Sequence, residues 1–157
     1  MTWGRLVGVV LVVLVAGCGV RPSGVITGIP APSGPAEGAE LYLLSAGDVT
    51  PVLRPTGQQL SPVETLTLLA AGPTPEERLE GLGSDVPANM GALAVTSSET
   101  EILVTLGGDV SGLSAAALEQ ITCTTVVAVF PDHSPPGQVS VTVTGGGQSR
   151  EPQACVR

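Results

Sequence analysis

Two near-identical helix starts in close succession constrain this chain more than any other feature. Ser61-Pro62-Val63-Glu64 and Thr74-Pro75-Glu76-Glu77 each place a hydroxyl residue, then a proline, then a glutamate three positions after the hydroxyl. A Ser or Thr at the N-cap accepts from the N3 backbone N–H, while the N3 glutamate reaches back to the N-cap N–H. Proline suits the first helical position because its missing N–H would find no helical partner there. Val63, Leu66, Leu69 and Ala70 share one face of the first helix, and Gly72-Pro73 stops it. The second helix is short, ended by Gly81 and Gly83, with Pro87 ahead of the next strand. Leu79 and Leu82 are spaced to pin this turn onto a core. Glu76, Glu77 and Glu80 lie where the helix dipole favours negative charge. No lysine follows the glycines and three glutamates crowd the helix start, which disfavours a phosphate cradle. Glu76, Glu77, Arg78 and Glu80 remain as a candidate surface for a protein partner.

The flanking segments supply strands. "AELYLLS" is a short apolar run suited to burial on both faces, "AGDV" turns at Gly47-Asp48, and "VTPVLRPTG" follows as a second strand. Pro51 cannot donate to a ladder and places that strand at an edge. "MGALAVTSSETEILVTLGGDV" is a hairpin turning at Ser97-Ser98-Glu99. Leu93 and Val95 are expected inward on its first strand, Ile102, Val104 and Leu106 on its second, with Glu99 and Glu101 outward. "LSAAALEQITCTTVVAVF" forms a second long helix capped by Ser114, with Leu118, Ile121, Thr125 and Val129 on one face. Its β-branched half, 124–130, suits a strand as well as a helix. "PDHSPPGQ" is a surface loop, and "VSVTVTGGG" alternates with Val139, Val141 and Val143 inward. The order β-β-α-(short α)-β-β-α-β predicts an α+β fold: a small two-layer sandwich with the helices on one face of a mostly antiparallel sheet.

The N-terminus speaks to location. Arg5 precedes an apolar run from Leu6 to Val15, far short of the roughly 20 residues a spanning helix needs. A charged start, a short apolar run and a small-residue site describe a secretory signal over 1–17. Val15-Ala16-Gly17-Cys18 resembles the bacterial lipobox, which implies that Cys18 is lipidated and becomes the first mature residue. Two acyl chains anchor a protein stably where one does so only marginally. Residues 18–38, rich in Pro, Gly, Ser and Ala, read as a flexible tether. The expected location is the extracytoplasmic face of the cell membrane. In that oxidising setting Cys123 and Cys155 are an even pair, expected to be bonded and to fasten the tail 147–157 onto the domain 39–146.

Charge and composition narrow the function. The net charge is −8 and lysine is absent. Phosphate binding needs a basic face, so nucleic acid is excluded as a partner, and attachment to anionic lipid falls to the anchor alone. One Trp, one Tyr and one Phe leave little material for aromatic cages. His133 is the only histidine and sits in a proline-rich loop, with nothing nearby that marks a nucleophile elbow or oxyanion hole. No metal or cofactor site has suitable spacing. The expectation is a non-catalytic, membrane-anchored interaction or scaffold module that binds another envelope or sensor protein, with self-association open to it. A small-ligand-binding lipoprotein and, behind it, a cell-wall hydrolase are the alternatives.

The central stretch also carries a family likeness. Gly72-Pro73-Thr74, Glu76, Glu77, Gly81-Leu82, Ser84 and Val86-Pro87, followed by the apolar hairpin and Leu118-Glu119-Gln120-Ile121, resemble the GerMN domain of spore-germination proteins. The resemblance spans about 41–144 and implies a single copy of an α+β domain without catalytic residues. The Cys123/Cys155 pair and the C-terminal tail depart from the pattern.

Overall fold

A computed structural model describes residues 38–132, 134 and 138–155. The signal, Cys18, the tether and His133 lie outside them. In chain order the elements are β1 (Gly38–Ser45), β2 (Asp48–Pro55), α1 (Pro62–Ala70), α2 (Pro75–Leu79), β3 (Leu82–Gly83), β4 (Ala92–Ser97), β5 (Glu101–Leu106), α3 (Ala115–Val129), β6 (Ser140–Gly145) and β7 (Gln148–Ser149). This is an α+β fold in the expected order, with two very short strands added. The strands divide into two sheets, β2-β1-β3 and β4-β5-β6-β7. Pairing is antiparallel except between β5 and β6. Those two are joined through α3, the kind of long crossover a parallel pair requires.

β1 and β2 form a full-length hairpin from Gly38↔Pro55 to Ser45↔Asp48. Its two-residue turn holds Ala46 at φ 52 and Gly47 at φ 96, the positive values a type I′ turn demands. β2 is an edge strand, where Pro51 is tolerated for a definite reason. Pro51 stands opposite Tyr42, whose N–H and C=O bond to α3 side chains rather than to β2. The pair is therefore of the non-hydrogen-bonded kind, and the Pro51 nitrogen points out of the sheet. Pro55 shares that parity.

α3 runs as helix through Val129, which settles the 124–130 segment. Its residues Ala117, Leu118 and Gln120 to Val127 are all buried, so the helix is enclosed rather than amphipathic. One cluster gathers Leu41, Leu43, Leu66, Leu69, Ile102, Val104, Leu118, Ile121 and Val141. A second, smaller one joins Tyr42, Cys123 and Val127, with Val49 and Cys155 against it. Cys123 and Cys155 are disulfide-bonded, with Cα atoms 4.9 Å apart. The tail also runs beside β6. Arg150 N–H donates to Val143 C=O, and Gln153 exchanges two bonds with Val141.

Two inward assignments are corrected. Leu79 is 90% exposed. Residues two apart on a helix diverge by about 200°, and Glu77 faces inward to an ion pair, so Leu79 faces out; Leu82 alone packs on the core. Leu93 is 70% exposed. The β4–β5 register shifts between Ala92 and Ala94; this bulge adds a residue, so Ala92 and Val95 rather than Leu93 and Val95 face the core.

Candidate functional site

The stretch singled out in the sequence resolves into structural parts. Both capping boxes form, Ser61 with Glu64 and Thr74 with Glu77. The Ser61 hydroxyl and backbone hold the Glu64 carboxyl below its ordinary pKa. Glu77 has a second task. Arg54 donates Nε to its Oε1 at 3.0 Å and Nη2 to its Oε2 at 2.6 Å, while Arg54 also reaches the Gly72 carbonyl at 3.1 Å. One guanidinium thus ties β2, the end of α1 and the start of α2 together. The Arg54 hydrogen bond is the main reason the Glu77 pKa is lowered, against desolvation that raises it. Of the candidate surface, Glu77 is turned inward, and Glu76, Arg78 and Glu80 lie around the exposed Leu79. Glu76 and Glu77 do not converge as an acid–base pair, and Glu99 and Glu101 sit exposed at the β4–β5 turn.

The loop 84–87 is held by a buried polar network. Gln120, 0% exposed, donates Nε2 to the Tyr42 carbonyl at 2.9 Å and accepts from the Asp85 N–H at 2.9 Å. Thr124 Oγ1 accepts from the Tyr42 N–H at 2.9 Å. Ser114, the N-cap of α3, donates to Asp85 Oδ2 at 2.9 Å. β3 reaches only Leu44 and Ser45 of β1; at Tyr42 two α3 side chains stand in for the missing strand. In the sequence Gln120 enters only through the family likeness and Thr124 only as part of the segment 124–130; neither reads as a buried hydrogen-bonding group.

The surface left open is the outer face of the four-stranded sheet. Ile102, Val104 and Leu106 face the core, so Glu101, Leu103 and Thr105 face out. The register sets Thr96 and Thr142 beside Leu103, and Ala94 and Thr144 beside Thr105. Leu103 is 43% exposed. A side chain at Gly107 would lie 3.9 Å from Leu93 Cδ2, which puts Leu93 on this face too. Apart from Glu101 at one end, these residues carry no charge. A shallow, open depression of about 360 Å³ lies here, lined by Thr96, Ser97, Ser98, Leu103 and Thr142 among others. It is a surface for contact rather than a cavity that encloses a ligand.

Among the described residues no group of three His, Cys, Asp or Glu is placed to hold a metal ion, and no helix is long and apolar enough to cross a membrane. No family model, curated protein or solved structure matches the chain.

Proposed function

We propose that this chain is a lipid-anchored, extracytoplasmic interaction module of the cell envelope. It carries a GerMN-like domain and performs no chemistry of its own. The observation that carries this reading is the open face of the four-stranded sheet, uncharged apart from Glu101 at one end, with Leu93 and Leu103 exposed, on a chain of net charge −8. Exposed apolar surface rimmed by polar residues marks contact sites on proteins. Cys18 holds the domain at the membrane through its lipid, and the tether over 18–38 gives it reach. The Cys123–Cys155 bond fits the oxidising side of the membrane.

Two measurements test the proposal. Mass spectrometry of the mature protein is expected to find a diacylglyceryl group on Cys18, and Cys18→Ala is expected to release the chain from the membrane. Crosslinking in the native membrane is expected to attach envelope protein to the sheet face. A chain recovered from the cytosol with Cys18 unmodified, or one that captures no protein, refutes the reading.

A further inference from the structure

Resting on that reading, we propose that the free β4 edge of this sheet takes a second copy of the chain, paired antiparallel about a twofold axis at Thr96. Three observations lead there. The first is which edge is free. β2 is blunted by Pro51 and Pro55, whose nitrogens point outward, and the open side of β6 is covered by β7 and by the bridge from Val141 to Gln153. Of the other sheet ends, β3 and β7 are only 2 residues each, whereas β4 ends its sheet with 6, and the segment from Ala88 to Ser98 contains neither a proline nor a charge. Edges are ordinarily protected by such residues.

The second is register. The Ser98 N–H bonds to the Glu101 carbonyl, so alternation turns the backbone of Thr96 and Ala94 toward β5 and that of Val95 and Ser97 outward. No hydrogen bond within the described residues takes up these outward groups. A twofold axis at Thr96 sets Val95 of one copy opposite Ser97 of the other, and the reverse. About four N–H···O bonds form, and the two Thr96 residues face each other.

The third is charge. Two copies of net charge −8 repel, and a basic partner would gain nothing from a neutral edge while acidic surfaces lay elsewhere. An uncharged strand is what lets an acidic chain approach its like. In this register Glu99 of one copy lies beside Leu93 of the other, so carboxylates do not meet. Sheet continuation also joins the two Thr96/Leu103/Thr142 faces into one surface.

The test uses the full chain in its native membrane. Cys123 and Cys155 are already bonded, so Thr96→Cys adds a reporter. At a non-hydrogen-bonded pair the Cα atoms are about 4.5 Å apart, within disulfide reach. Mild oxidation is expected to convert most of Thr96→Cys to a covalent dimer. Adding Ser97→Pro, at an outward position that its own sheet tolerates, is expected to abolish the dimer. Leu79→Cys, on α2, is expected to stay monomeric. Where Thr96→Cys does not fold, Ala94→Cys and Ser98→Cys on separate copies report the same register and should join only when both are present. Dimers from Leu79→Cys as readily as from Thr96→Cys, or dimers that survive Ser97→Pro, overturn the proposal. A disulfide from the Thr96→Cys variant to a different polypeptide also overturns it but leaves the interaction-module reading standing. No adduct of either kind removes both.

Discussion

Replacing Gln120 isolates the interaction that closes the free edge of β1. Its carboxamide is fully buried, donating to Tyr42 C=O and accepting from Asp85 N–H at 2.9 Å each. Gln120→Leu keeps most of the volume and removes both bonds, together with a longer one from Nε2 to Ser84 Oγ at 3.4 Å. The Tyr42 carbonyl, in the core, then loses the Gln120 donor, and the loss of a hydrogen bond to a buried polar group costs about 1–3 kcal/mol. The Asp85 N–H is only part-buried and recovers water at smaller cost. The expected loss for Gln120→Leu is therefore about 2–3 kcal/mol. Gln120→Ala adds a cavity and should lose about 3–5 kcal/mol. Thr124→Val, nearly isosteric, removes the Thr124 hydroxyl that accepts from the Tyr42 N–H and should lose about 1–3 kcal/mol. The two sites share Tyr42, so the double variant should depart from additivity. Guanidinium unfolding followed by far-UV circular dichroism, with the disulfide intact in every variant, gives each difference. Gln120→Leu within about 0.5 kcal/mol of the parent, the range of an ordinary surface change, would refute the idea that helix side chains replace a strand here.

Four further outcomes follow from the same structure. Glu77 has a lowered pKa in the fold through Arg54; its stabilisation is complete above the ordinary carboxylate value of 4.5 and is lost as pH falls through the depressed folded value. Glu77→Gln should thus lower stability at neutral pH and flatten the acid side of a stability–pH curve; an unchanged acid limb rejects the ion pair as its source. Cys155→Ser removes a link spanning 32 residues, and loop entropy puts its loss at about 3–4 kcal/mol by thermal or chemical unfolding. Gly145→Ala would force Cβ against the Gly108 carbonyl oxygen; it should lower the melting temperature far more than Gly112→Ala, whose Cβ meets open space. Ala46→Asn, at φ 52 in an exposed turn, should raise thermal stability slightly, because Asn tolerates that conformation better.

What the sequence revealed was what is local. Both capping boxes, the Gly72-Pro73 stop and the alternation in β5 and β6 depend on neighbours a few positions away, and all are present as written. Pro51 marked β2 as an edge because a missing donor has few places to sit. The misses are all non-local. Nothing in Ala92-Leu93-Ala94 announces a bulge, since no glycine marks it. Arg54 and Glu77 meet across 23 residues, and the sole hint was a lone cation beside a strand proline. Periodicity marks one packed face of α3, through Leu118, Ile121, Thr125 and Val129, but cannot show that Gln120, Thr122 and Thr124 are buried as well. The candidate edge was the least legible of all. Whether β4 ends a sheet depends on β5 pairing with β6 through the α3 crossover, a choice no local pattern in β4 records.

The longer edges of this fold other than β4 are closed by different means, which sets β4 apart. Proline nitrogens blunt β2, two α3 side chains fill the gap beside Tyr42, and a disulfide-held tail covers β6. Each device lies far from the others in sequence, and each removes a place where another chain could add a strand. β4 has only its bulge, which kinks one end and leaves Val95 and Ser97 facing outward. Pairing over so short a strand gives few hydrogen bonds, too little to hold two dilute, like-charged copies together. Attachment at Cys18, as proposed, changes that balance. Copies tethered to one membrane meet at a raised effective concentration without any added contact, and the segment 18–38 lets each reach its neighbour. Edge pairing on this scale therefore belongs to the membrane-bound chain. A covalent dimer from Thr96→Cys should form there and fall away when Cys18→Ala releases the same variant into solution; equal yields in both settings would show that the tether plays no part.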